Sequence, residues 1–393
     1  MQVPKMADAV VIGGGILGAS TAPFLAKLGF GQVVLVEKLT LAAVSTGHTG
    51  GAIRTAYSNP ITIQLALRGL AMFANAEEHL GGDCGFRRCG YLVLAGADEL
   101  EPSRAMMRAQ VEQGVEVEEI GLAEMRSRWP EIDLEPDGVA AGIFEPQSGV
   151  AEGYKTTRTL VASAVADGLT AFEGVAATGI RTTGGKVAAV ETDQGSIATP
   201  VVVNAAGGWG RRVGAWLGFN YSFRWSRETD IVLNAPFGTG HLPWISDSLC
   251  RQYIRPDPPG QLCVGLGWPK EIEPLDIDDY DPEPDAALKA RLLEKFIRRL
   301  PGAAESSYDH GWASMYTITD DWHPLVGPEP EVPGYYACVA GNGHCFKLGP
   351  PLGESLAHII AGQAPPVDLH PLRSSRFVEG EPITSVWGGG NRA

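Results

Sequence analysis

Ala9-Val-Val-Ile-Gly-Gly-Gly-Ile-Leu-Gly18, followed after a helical pattern by Val33-Val-Leu-Val-Glu-Lys38, is the stretch on which the fold turns. An apolar run ends in glycines, a helix runs through Leu28, and a second apolar run closes on Glu37, which is the order of a βαβ unit. Gly13 permits the tight turn out of the strand, Gly15 lets the backbone approach a pyrophosphate, and Gly18 lets the helix pack closely on the sheet. The helix that opens at Ile16 offers free N–H groups and a partial positive charge at its N-terminus. Glu37 is placed to accept hydrogen bonds from ribose hydroxyls, with Lys38 beside it. A glycine fingerprint alone is weak, but strand, turn, helix, second strand and acidic end in order predict a bound dinucleotide.

Working outward, Leu41-Ala-Ala-Val-Ser-Thr-Gly-His-Thr-Gly-Gly-Ala-Ile-Arg54 is too glycine-rich for a helix and too long for a turn, so it should lie against something flat. Its candidates for cofactor contact are Ser45, Thr46, His48, Gly50 and Gly51. Residues 201–210 form a buried-type strand running into Ala205, Ala206, Gly207 and Trp209, a second place where backbone can meet the cofactor. Strand, glycines and helix recur at Tyr335-Tyr-Ala-Cys-Val-Ala-Gly-Asn-Gly-His-Cys-Phe-Lys-Leu-Gly349 and onward through 352–361.

Between these landmarks, apolar spacing predicts helices over 60–80, 100–113, 154–167 and 286–300. Short strands with glycine-rich turns over 174–198, which include Val175, read as a small antiparallel layer, and 221–266 reads as a second sheet. An acidic, proline-bearing loop is expected over 271–284. The segment after 365 has no clear period and is expected to be loosely ordered.

With 393 residues, 44% of them hydrophobic, the chain is longer than one compact core usually uses, and two domains are the default. A net charge of −15 with no basic stripe argues against a nucleic-acid partner. No apolar run reaches the roughly 18 residues of a membrane span, and no signal-peptide core precedes the first strand, so a cytoplasmic protein without a membrane span is expected. Six cysteines show no CxxC pair and no zinc-like spacing. Buried thiols and no metal are the reading.

The N-terminal fingerprint, Val203-Asn-Ala-Ala-Gly-Gly-Trp209 and Gly341-Asn-Gly-His-Cys-Phe-Lys-Leu-Gly-Pro-Pro-Leu-Gly-Glu354 together resemble the FAD-dependent amine oxidoreductases of the D-amino-acid oxidase superfamily. The likeness is greatest to the branch of sarcosine oxidase, dimethylglycine dehydrogenase and glycine oxidase. It implies an α/β fold whose Rossmann-like FAD-binding domain is discontinuous, with an α+β, mainly antiparallel-sheet substrate domain. On this basis residues 1–80, 140–217 and 320–365 are expected in the FAD domain, 81–139 and 218–319 in the substrate domain, and 366–393 in a C-terminal tail.

The resemblance also assigns chemistry. Arg54 and Lys347 match positions that bind the carboxylate of an amino-acid substrate, the arginine as a fork and the lysine as a point charge. Gly341, Gly343, His344, Phe346 and Lys347 fall on the cofactor side, and Tyr253, Arg255, Trp268, Tyr316 and His344 on strands or loops that in the family face the flavin. His48 matches the histidine that carries FAD covalently in dimethylglycine dehydrogenase-like members; a histidine there either forms that bond or merely hydrogen-bonds. Ser314 stands where another subgroup attaches FAD through cysteine, which excludes that linkage. Gly265 stands where the monomeric oxidases place a lysine over the flavin. Nothing cationic replaces it in the local sequence, save Lys270 under a shifted register, and this favours a dehydrogenase over an oxidase.

The expected function is therefore oxidation of the C–N bond of a secondary or tertiary amino acid, N-methyl or cyclic, to an imine by hydride transfer to flavin, with hydrolysis following. The substrate is a small carboxylate-bearing amine, and the electron acceptor is oxygen or a protein partner in a homo- or hetero-oligomer. Two alternatives stand beside it: a sarcosine-oxidase-β-like subunit of a multi-subunit dehydrogenase, and a nonenzymatic FAD-binding protein.

Overall fold

The apolar run Ala9–Ile12 becomes the strand at the heart of a six-stranded sheet, with Val33–Glu37 and Val202–Asn204 parallel on either side. All four of its residues are buried, as a parallel strand covered on both faces requires. The computed structural model describes residues 2–267, 270 and 272–385. Leu169–Glu173 closes one edge of this sheet; at the other, Tyr335–Val339 pairs in parallel and Leu325–Pro328 antiparallel. Widely separated parts of the chain thus build one sheet.

Helix Ile16–Lys27 makes the crossover between the first two strands and packs along helix Cys345–Ile360. Small residues set how closely the two approach: a Cβ on Gly349 would lie 2.6 Å from the Ile16 side chain, and one on Gly353 2.5 Å from Ser20 Cβ. Leu17, Leu25, Leu352 and Leu356 fill the apolar core around that contact.

A second, eight-stranded sheet draws on Ser307–Ile318, Arg224–Asn234, Gln261–Leu266, Gln252–Asp257, Trp244–Asp247, Tyr91–Gly96, Val139–Glu145 and Glu118–Ile120, in that spatial order. Its pairs are antiparallel except Trp244–Asp247 with Tyr91–Gly96. The period of two decides what each face carries. Ile231, Leu233, Ile254, Leu262 and Val264 join a core with Leu288, Leu292 and Phe296 of helix Ala286–Arg299, while Glu228, Asp230 and Tyr253 turn to the opposite face. The mixed α/β architecture predicted from the sequence is the one observed.

Three expectations change. The helix over 60–80 is interrupted at Asn75, giving Pro60–Ala74 and Ala76–His79. The helix expected over 352–361 starts earlier, at Cys345, and runs through Pro350 and Pro351. Those prolines cannot donate to the carbonyls of Phe346 and Lys347, and Gly69 of the neighbouring helix comes close enough there that a Cβ would lie 2.3 Å from Lys347 O. Lys347 accordingly sits in the first turn of a helix rather than in a loop. Last, the segment after 365 is pinned by Arg376, whose fully buried guanidinium holds Asp321 through Nε–Oδ2 at 2.8 Å and Nη2–Oδ1 at 2.9 Å. The same side chain donates to the carbonyls of His323 and Pro324. Among the described residues no helix is long and apolar enough to cross a membrane.

Candidate active site

Two adjoining cavities lie where the glycine-rich ends of the six-stranded sheet meet the inner face of the eight-stranded one. They enclose about 1340 and 1130 Å³, open solvent at their mouths included, and share Gly15, Thr46, Ala205 and Gly207 as lining.

The fingerprint glycines have distinct roles in this geometry. Gly13 sits at φ +113°, where a Cβ would lie 2.3 Å from Ala205 O, and a Cβ on Gly18 would lie 2.0 Å from Gly13 O. Both are glycine because backbone crosses them. Gly15 differs: a Cβ there would meet only Thr46 Oγ1, at 3.2 Å, and the residue faces both cavities. Thr46 Oγ1 accepts from Ile16 N at 2.9 Å, tying the segment 41–54 to the helix start. Ser45 donates to Met315 O at 2.8 Å and ties the same segment to the second sheet. The carboxylate of Glu37 accepts from Gly14 N at 2.7 Å and Leu39 N at 2.8 Å, and retains lone pairs toward the second cavity. Val175, Ala206 and Trp209 line that cavity, with the Lys38 ammonium 3.3 Å from the centre of the Trp209 ring. Gly50 and Gly51 line the first cavity, beside His48.

Arg54 and Lys347 both line the first cavity and both are buried. They meet at Tyr57, whose ring lies 4.3 Å beneath the Arg54 guanidinium and whose hydroxyl is 3.3 Å from Lys347 Nζ. Burial first, then the Arg54 charge, pulls the Lys347 ammonium well below the ordinary lysine range. Two cations held this close favour an anionic ligand.

His344 does not line the cavity, contrary to expectation. Its Nε2–H donates to Trp322 O at 3.0 Å, which leaves Nδ1 to accept from Tyr57 at 3.2 Å. Burial and the neighbouring Lys347 hold it neutral, far below the usual histidine value. His344 therefore sets the direction of the Tyr57 hydroxyl, which in turn receives Lys347. Arg255 is also set back from the cavity: it donates to Gly50 O at 2.9 Å and pairs with Asp257, bracing the segment that carries His48. Trp268 lies outside the described residues.

His48 stacks on Trp312 with ring centroids 6.2 Å apart, and its Nδ1 is buried without a hydrogen-bond partner among the described residues. Burial lowers its pKa, so the ring is neutral with a lone pair available. Phe346, Gly341, Gly343 and Tyr316 complete this part of the wall, the Tyr316 ring lying directly on Gly343, where a Cβ would come within 2.1 Å of it.

Beside the expected Tyr253, this cavity holds Tyr91, Trp244, Glu228 and Asp230, which the sequence did not single out. Tyr91, Trp244 and Tyr253 stack in succession, with centroids 6.3 and 5.3 Å apart. Beside them Tyr253 donates its hydroxyl to Asp230. Gly265 explains that contact. It pairs with Tyr253 on one side and Asp230 on the other, and a Cβ on it would lie 2.2 Å from Asp230 Oδ1 and 2.4 Å from the Tyr253 hydroxyl. The absence of a side chain lets the two reach across the strand. Nor is the neighbourhood without a cation: the Lys270 side chain is 3% exposed, its Nζ 2.5 Å from Glu228 and 2.6 Å from Leu266 O, with the Tyr316 ring 5.0 Å away. Burial alone would lower this ammonium, but Glu228 and Tyr316 outweigh it and the pKa is raised. Lys270, which the sequence allowed here only under a shifted register, is thus the nearby cation, with Gly265 still paired to Asp230 and Tyr253.

The FAD dependent oxidoreductase family, DAO, matches residues 8–359. Mitochondrial sarcosine dehydrogenase of Mus musculus is 29% identical over 388 residues, spanning 95% of this chain and 42% of the relative. Mitochondrial dimethylglycine dehydrogenase of Rattus norvegicus is 26% identical over 402 residues, 94% of this chain and 45% of the relative. The chain spans less than half the length of these two relatives. The crystal structure of L-proline dehydrogenase from P. horikoshii superposes with a TM-score of 0.89 at 25% identity, covering 97% of this chain and 100% of that one. The chain belongs to the FAD dependent oxidoreductase family. The residues present fit that cofactor: one glycine open to the cavities, two closed by backbone, and an elongated space running from Glu37 to Lys347.

Proposed function

We propose that this FAD-dependent oxidoreductase oxidises the C–N bond of a secondary or tertiary amino acid, N-methyl or cyclic, to an imine that water then hydrolyses. The observation that carries the reading is the convergence of Arg54 and Lys347 on Tyr57, at the wall of a cavity that continues into the glycine cradle. FAD, when bound, supplies the acceptor for the hydride that leaves the carbon beside nitrogen.

The chain's own residues position the reactant. Arg54 holds the substrate carboxylate as a planar fork and Lys347 adds a point charge, oriented by Tyr57 and, through it, by His344. Tyr91, Trp244 and Tyr253 form an aromatic wall that keeps water from the reacting carbon. The electron acceptor is oxygen or a protein partner. With Lys270 buried against Glu228, lack of a local cation no longer argues against oxygen. We also propose His48 as the point of covalent attachment, on the strength of its place in the cavity lining and of a neutral ring whose Nδ1 has no hydrogen-bond partner among the described residues.

The decisive experiment is anaerobic mixing of the purified yellow protein with a panel of N-alkyl, cyclic and primary D-amino acids. Bleaching by N-alkyl or cyclic members is the expected result. A protein that binds FAD yet is bleached by none of the panel overturns the reading and leaves a nonenzymatic FAD-binding protein in its place.

A further inference from the structure

Two carboxylates face the first cavity, and they differ in what holds them. Glu228 is matched by Lys270 at 2.5 Å. Asp230 is 7% exposed and accepts the Tyr253 hydroxyl at Oδ1, while among the described residues no donor and no ion pair reaches Oδ2. A carboxylate that lines a cavity and keeps the lone pairs of one oxygen unused is a site for a ligand's N–H. Arg54 and Lys347 line the same cavity. A zwitterionic amino acid offers an ammonium to Asp230 and a carboxylate to the part of the cavity that Arg54 and Lys347 line.

We propose that Asp230 binds the substrate's ammonium and takes its proton, so that the cationic form of a secondary or tertiary amino acid enters the cavity and the neutral amine arises inside it. The proposal rests on the amine-oxidation reading above and names the ionic form that the site selects. In this step an N–H bond breaks and an O–H bond forms at Oδ2. The electron pair stays on nitrogen and nothing is oxidised. That lone pair is what allows the neighbouring C–H hydrogen to depart with its electrons.

The surroundings suit the role. Burial pushes the Asp230 carboxyl upward, while the Tyr253 hydrogen bond, Lys270 and Arg255 act in the other direction. The groups facing it are Glu228 on its own strand, Tyr253 and Arg255 on Gln252–Asp257, Cys263 on Gln261–Leu266, Tyr316 on Ser307–Ile318, and Lys270. A raised pKa makes a stronger base than a surface aspartate. The sign follows: the accepting form is the carboxylate, so proton transfer is retained above the pKa of Asp230 and lost as pH falls through it.

The test is anaerobic reduction of the holoprotein by sarcosine and by L-proline from about pH 6 to 9, for wild type and Asp230→Asn, with propionate binding read from the flavin spectrum. An alkylammonium ionises near pH 10, as lysine does at about 10.4. Asp230→Asn must therefore wait for the scarce free amine, and its reduction rate should climb about tenfold per pH unit while wild type stays nearly flat above its acid limb. Propionate, which has no nitrogen, should bind the variant no more weakly than wild type. In Tyr253→Phe, loss of the hydrogen bond that favours the carboxylate should move the acid limb to higher pH. A wild-type profile in Asp230→Asn, or an unmoved limb in Tyr253→Phe, overturns this proposal alone. Wild-type protein reduced by no amino acid overturns the amine-oxidation reading, and this proposal with it.

Discussion

Lys270 places its ammonium 2.5 Å from the Glu228 carboxylate in a setting where the two side chains are only 3% and 13% exposed. Removing one partner of such a pair leaves the other charge uncompensated. Lys270→Met should lower stability by about 3–5 kcal/mol, and Lys270→Met with Glu228→Gln should recover much of that loss. Chemical denaturation of wild type, both single variants and the double gives the coupling directly; additive losses would show that the pair is not coupled.

Arg54→Ala or Lys347→Ala should leave FAD bound and weaken carboxylate substrates. Loss of a charge-assisted partner from a buried carboxylate costs about 2–5 kcal/mol, or tens- to thousands-fold at about 1.4 kcal/mol per tenfold. An amine without a carboxylate should be nearly indifferent to both substitutions.

Lys347 gives the clamp a pH signature. Its pKa in the ligand-free fold is lowered, so between that value and the unfolded value near 10.4 the folded chain binds fewer protons than the unfolded one, and stability rises with pH. A bound carboxylate restores the charge and takes up a proton. Propionate affinity should fall as pH rises through that window, and Lys347→Met should flatten both slopes. Titrations followed by flavin absorbance at several pH values test the first, and denaturant melts the second.

Gly15 and Gly18 should respond differently to one methyl group. Gly18→Ala drives a Cβ to within 2.0 Å of Gly13 O and should abolish cofactor retention together with much of the stability. Gly15→Ala meets only Thr46 Oγ1 at 3.2 Å, so it should fold and bind FAD more weakly. Flavin content and melting temperature, measured on both, separate the two effects.

If His48 carries the flavin, acid precipitation of wild type leaves the colour in the pellet, and His48→Ala releases it. Colour wholly in the wild-type supernatant shows a noncovalent cofactor, and the binding cradle stands unchanged.

Arg376 is fully buried on Asp321, whose side chain is 3% exposed. Arg376→Ala should cost about 3–5 kcal/mol and unpin the segment after residue 365. Limited proteolysis of the variant checks this, since faster cleavage after residue 365 than in wild type is the expected result.

The features that the sequence made visible are local ones. The βαβ unit is readable because turn, helix and strand follow within 30 residues, and Arg54 and Lys347 stand in motif-like runs. Asp230, Glu228 and Trp244 were missed because alternation tells which residues share a face, not what that face confronts across the sheet. Lys270 was within reach of the reading, but its burial depends on Glu228, 42 residues earlier. The helix at Cys345–Ile360 begins seven residues before the expected 352 and runs through Pro350 and Pro351, with Gly69 of the neighbouring helix packed close to the Lys347 carbonyl. Arg376 carries no periodic signal, since the order there comes from its ion pair with Asp321 together with scattered anchors such as Val367, Leu369 and Leu372 in the core.

Gly265 makes two designs mutually exclusive. Any side chain on that residue must occupy the point where the Tyr253 hydroxyl and the Asp230 carboxylate meet. A cationic side chain at residue 265 and the phenol–carboxylate contact across it therefore exclude one another. A single codon at position 265 is enough to choose between them; here the position is glycine, and the nearby positive charge is that of Lys270, beyond the end of the strand.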